Sequence, residues 1–192
     1  MHNFIDIIKY LGNLPHLSSR SISDTVAIGL GGGAVTNIIA SLPDFVLCVA
    51  ADAPSAIKLK EDLQKYGKNA EIISFREEVL FYSRAYSKEG ALSRLEALYK
   101  IVSGKAQAAI ITAESLLRIF PPVKAFTEAI IKIEKDKDYD LAQLTKKLTE
   151  AGYKRESVVE GRGQFALRGD IFDIFPVNDN ALRIDFFGTK AE

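Results

Sequence analysis

Residues 163–187 read GQFALRGDIFDIFPVNDNALRIDFF. The stretch predicts two strands joined by a polar turn at Pro176 to Asn180. In the second strand, Leu182, Ile184 and Phe186 alternate with Arg183, Asp185 and Phe187. Successive strand side chains point to opposite faces, so one face is apolar and the other carries Arg, Asp and Phe. An Arg beside a large aromatic on a polar face is the make-up of a binding hot spot. This points to a protein that docks a partner rather than one that performs chemistry. Gly169 interrupts the first strand pattern just after Arg168 and predicts a bulge that re-aims that arginine. A hairpin closed at the polar turn brings Arg168 and Arg183 towards the same end of the module. The plainer alternative is two ordinary surface arginines, one of them paired with Asp185. Asp170 and Asp173 flank apolar residues and read as structural or salt-bridging groups rather than an acid–base pair.

Outward from this stretch the chain changes character. From about Asp24 to Pro122, apolar runs alternate with helical patterns. TVAIGL, FVLCVA, AEIISF and AQAAIIT predict strands, and AVTNIIASL, SAIKLKEDLQKYG, ALSRLEALYKIV and ESLLRIF predict helices. Such alternation implies a parallel sheet covered on both faces. Residues 76–90 form a longer polar connection without catalytic spacing. Pro121-Pro122 ends this region. Beyond it, AIIKIEK predicts a strand, and DLAQLTKKLTEAGY a helix capped by Asp138 or Asp140 and stopped at Gly152. A strand near ESVVEG and the opening pair follow. The expected fold is therefore α/β. A helicase-like parallel-sheet domain with a degenerate P-loop spans 1–122, and a smaller α+β (β-α-β-β) module spans 123–192.

Composition excludes several functions. The chain has 192 residues, 25 basic and 25 acidic, for a formal net charge of zero. Neither side of Pro122 carries the basic excess that drives binding to phosphate backbones. A single cysteine, Cys48 in an apolar run, forms no intrachain disulfide and reads as buried. His2 and His16 lack spaced partners, so no metal site or His-based catalytic group is expected. No apolar run is long enough to span a bilayer, and the N-terminus lacks a secretory pattern. A cytoplasmic protein without membrane contact is expected.

The glycine run Gly29, Gly31, Gly32 and Gly33 lies between a predicted strand and helix, where a phosphate-binding loop would sit. With Gly33 as the last glycine of GxxxxGK[ST], Ala34 replaces the lysine and Val35 the Ser or Thr. The phosphate charge partner and the magnesium ligand are both missing. A dinucleotide reading fails too: Ala34 stands where the last glycine belongs, and Asp52 is the nearest candidate ribose acid. A degenerate, structural turn is expected.

FALRGDIFDIFP (165–176) followed by ALRIDFFG (181–188) resembles the module shared by the excision-repair protein UvrB and the transcription-repair coupling factors of the Mfd family. SRLEALYKIVSG, IITAESLLRIFPP and LTKKLTEAGYKRESVVEGRGQFALRGD resemble the N-terminal region of the latter in order and spacing. The degenerate glycine run favours that family, because UvrB-like proteins carry an intact ATP-binding loop. The resemblance implies a non-catalytic N-terminal fragment that recruits the damage-recognition ATPase UvrA, with Arg168, Arg183 and Phe187 as binding residues. It also implies that ATP, magnesium, RNA polymerase and double-stranded DNA are engaged only through domains absent from this chain. The alternative is a UvrB-type nucleotide-binding subunit.

Overall fold

A computed structural model describes residues 33–73 and 88–192. The chain divides into two compact units, Met1–Glu77 with Lys100–Arg118, and Glu78–Tyr99 with Ile119–Glu192. This division differs from a cut at Val123 by taking residues 78–99 and 119–122 into the second unit.

In the first unit, helix α1 (Ala34–Ser41) leads to strand β1 (Val46–Ala50), and helix α2 (Ala53–Lys65) to β2 (Ala70–Ile73). Helix α3 (Lys88–Val102), which the unit boundary divides, precedes β3 (Ala108–Thr112) and the short helix α4 (Ala113–Leu116). The strands form a parallel sheet in the order β1-β3-β2. Every residue of central β3 is buried, as a strand covered on both faces requires. Among the described residues β1 is different. Cys48 and Ala50 face the core, while Leu47 and Val49 are exposed. Asp52 acts locally, its carboxylate accepting from Ser55 N at 2.8 Å to cap α2. Gly67, at φ 74°, ends that helix in the left-handed conformation glycine tolerates best.

The second unit continues with α5 (Val123–Glu128), α6 (Leu141–Glu150), β4 (Lys154–Arg155), β5 (Gln164–Arg168), β6 (Ile171–Phe175), β7 (Leu182–Phe187) and β8 (Lys190–Ala191). The five strands form one sheet in chain order, antiparallel except for the short β4–β5 pair. Leu144 and Leu148, one helical turn apart, pack with Phe165, Phe172, Ile174 and Phe186. Phe172 lies at the centre, stacked on Phe165 at 5.9 Å and edge-on to Phe186 at 6.3 Å.

The β-α-β-β expectation needs correction. AIIKIEK is not a strand: α5 precedes it, and Ile131 and Ile133 pack against the core from irregular backbone. The sheet edge is met instead by residues 136–139. Asp136 N donates to Ala191 O at 2.8 Å, and Tyr139 N to Thr189 O at 2.7 Å. The strand placed near ESVVEG lies just before it, at Lys154–Arg155.

Of the two proposed caps, Asp140 caps α6, accepting from Ala142 N at 2.9 Å and Gln143 N at 3.2 Å. Asp138 accepts from Thr189 Oγ1 at 2.7 Å. Asp140→Ala leaves helix-terminal N–H groups without that acceptor and is expected to cost about 1 kcal/mol. A urea unfolding midpoint that falls accordingly, with an unchanged slope, is the result to look for.

Candidate docking face

The stretch at 163–187 forms three strands rather than two. β5 and β6 are joined by Gly169-Asp170, with Arg168 opposite Ile171 in register. Gly169 has φ 61° at the first central position, as a two-residue II′ hairpin turn requires. It is thus a turn glycine and not a bulge. β7 then pairs with β6, with Ile171 opposite Asp185 and Asp173 opposite Arg183.

Residues directly opposite each other in an antiparallel pair share a face. Phe165, Leu167, Phe172, Ile174, Ile184 and Phe186 accordingly lie on the core face. Arg168, Ile171, Asp173, Arg183, Asp185 and Phe187 lie on the other. The two consecutive phenylalanines divide cleanly: Phe186 is 4% exposed and Phe187 is 81% exposed. Leaving a Phe in water forgoes about 1.5–3 kcal/mol of burial energy, so Phe187 contributes little to holding the unit together.

Asp173 organises the charges. Arg183 donates through Nε to Oδ1 at 2.6 Å and through Nη2 to Oδ2 at 3.1 Å, a two-point fork. Arg168 donates through Nη2 to the same Oδ2. Two guanidiniums from β5 and β7 therefore share one carboxylate on the strand between them. The Asp173 side chain is 12% exposed, against 52% for Arg168 and 62% for Arg183. Both cationic heads stay open to solvent, and the trio keeps one net positive charge.

Arg183 and Phe187 thus share a face, as the strand periodicity implied, and Arg168 joins them through the register of three strands rather than through a bulge. Arg183 is paired with Asp173, not Asp185. The salt-bridging reading of Asp173 holds, yet its link to both arginines had no signal in the sequence. Its partners stand five and ten positions away, and only the three-strand register brings them together.

The Arg183 hydrogen bond, helped by that of Arg168, holds the Asp173 carboxyl below the usual carboxylate range, against an opposing effect of burial. The same contact raises Arg183. A carboxyl lowered on folding stabilises the fold above the ordinary range, near pH 3.9, and loses that contribution as pH falls through its folded value. The stability difference between the wild type and Asp173→Asn should therefore be full at pH 6 and shrink below about pH 4. Thermal unfolding of both proteins across that range checks it.

In the glycine run, Gly29, Gly31 and Gly32 lie outside the described residues, as do His2 and His16. Gly33 stands at the start of α1, where its carbonyl accepts from Asn37 N at 2.9 Å. Ala34 and exposed Val35 open the helix and supply neither a cation nor a hydroxyl. Cys48 is buried, and burial pushes its thiol up, away from the reactive thiolate. Among the described residues no helix is long and apolar enough to cross a membrane.

Residues 131–192 match the UvrB interaction domain family. That match contains every side chain of the Arg–Asp–Arg trio, together with Phe187. Over 180 residues, 90% of the chain, it is 25% identical to a transcription-repair-coupling factor of Bacillus subtilis (strain 168). It is 28% identical over 176 residues, 88% of its length, to that of Staphylococcus aureus (strain MSSA476). With the factor of Myxococcus xanthus it shares 29% identity over 178 residues, 85% of the chain. The chain is similar to transcription-repair-coupling factors. It spans 15% of the length of each of these three relatives. The resemblance read from residues 165–176 and 181–188 holds on this independent ground.

Proposed function

We propose that the chain is the UvrB-like part of a transcription-repair-coupling factor and acts as a non-catalytic adaptor that recruits UvrA. The first domain, 1–122, is a helicase-like fold that has lost its nucleotide site. The second, 123–192, presents Arg168, Arg183 and Phe187 to UvrA in the cytoplasm. RNA polymerase and double-stranded DNA are engaged by other domains of the longer protein, as are ATP and magnesium.

The observation that carries this reading is the outward face of β5–β7. It holds two arginines and an exposed phenylalanine over a well-packed core. Fold stability gives no reason to expose Phe187, whereas a partner with an apolar pocket does. The match over residues 131–192 supports UvrA as that partner. Capture of purified UvrA by the immobilised chain is the test. Capture should weaken with added salt, because exposed charges steer the encounter. No capture at low salt would sink the proposal.

The glycine run before α1 favours a second reading, a UvrB-type nucleotide-binding subunit. Calorimetric titration with ATP and magnesium separates the two. No saturable heat is expected, because Ala34 and Val35 replace the phosphate-binding cation and the metal-binding hydroxyl. Micromolar binding would favour the subunit.

A further inference from the structure

We propose that Asp173 is a positioning residue of the docking face, fixing Arg168 and Arg183 in one arrangement without itself meeting the partner. This rests on the reading of the face as the UvrA site. Arginine side chains carry about 2 kcal/mol of rotamer entropy each, which binding must otherwise remove. Here the carboxylate removes part of that freedom before any partner arrives. It grips Arg183 at two points and Arg168 at one. At 12% exposure it lies beneath the heads it holds, which are more than half exposed. The remaining charges on this side have their own places. Asp185 lies across Ile171 from Arg168 in the strand register. Lys190, opposite Phe187, pairs with Asp136 at 2.9 Å.

The role has a kinetic signature. Asp173→Asn keeps the shape and removes one negative charge, so the trio changes from one net positive charge to two. Attraction to a complementary acidic surface then increases, while the prepared geometry is lost. Association with UvrA should hold or rise and depend more steeply on salt, and dissociation should quicken about tenfold. A merely structural role gives the opposite pattern: fewer active molecules, slower apparent association, and unchanged dissociation and salt dependence. In a chain already carrying Arg183→Ala, Asp173→Asn should add clearly less than in the wild type, because its main route of action is gone. Asp173→Glu, which keeps the charge, should fall between wild type and Asp173→Asn.

Surface plasmon resonance with purified UvrA at several salt concentrations reads the wild type and each of these variants. Wild-type dissociation from Asp173→Asn, or an undiminished effect in the Arg183→Ala background, would overturn the proposal. Should the variants not fold, the wild type alone decides by NMR. A slowly exchanging Arg183 Nε–H resonance near pH 6 supports the lock, and an Nε–H that exchanges as fast as an exposed arginine's overturns it. Failure of the wild type to bind UvrA would instead refute the assigned function, and the NMR result would still report on the lock.

Discussion

Phe187→Ala weakens UvrA binding by about 1–4 kcal/mol while leaving the unfolding midpoint almost where it was. The two halves of this expectation come from one fact. Phe187 is 81% exposed, so truncation removes almost no internal packing. Surface changes of this kind shift stability by no more than about 0.5 kcal/mol. Arg183→Ala should lose a similar share of binding but cost somewhat more stability, because it strips Asp173 of its two-point partner. Paired titration calorimetry and urea unfolding check both variants. A Phe187→Ala protein that binds UvrA as tightly as wild type would remove the aromatic from the site.

Phe172→Ala is the expected opposite. Phe172 is fully buried on β6 and touches both Phe165 and Phe186 across the core. Its loss removes a large apolar side chain and leaves a cavity, at a cost of about 3–5 kcal/mol. That is a large part of the total stability of an ordinary domain, about 5–15 kcal/mol. β6 also carries Asp173 on its outer side, so loosening this strand disturbs the arginine pair from beneath. Urea unfolding should show the loss directly, and a change below about 1 kcal/mol would contradict this packing. Together, Phe187→Ala and Phe172→Ala separate binding from folding on two phenylalanines of adjacent strands.

What the sequence makes legible follows from local rules. β7 is visible because Leu182, Ile184 and Phe186 alternate with polar neighbours, and a strand imposes that period. The α6 cap is visible as a choice between Asp138 and Asp140, because both stand just before an amphipathic run. AIIKIEK misleads for the same reason β7 does not. Ile131 and Ile133 alternate and pack inward, but side-chain alternation does not say whether the backbone joins a ladder. Helix α5 is short and buries none of its residues, so it leaves no periodic trace. Gly169 reads as a bulge when the surrounding strand is taken as one. The structure divides it into two strands of five residues with a two-residue turn. The joint grip of Asp173 on both arginines depends on that division and is not a local property. Alternation marks Arg183 and Phe187, the resemblance adds Arg168, and neither points to the carboxylate that both arginines contact.

On the proposed reading, the outer face of β5–β7 is the UvrA docking site. The most direct test of that reading is titration of purified UvrA with the wild-type chain and with the Arg168→Ala, Arg183→Ala, Phe187→Ala triple variant, both first shown to be folded. A saturable complex with the wild type and no detectable complex with the folded triple variant is the predicted result. Equal affinity for the two proteins would contradict it.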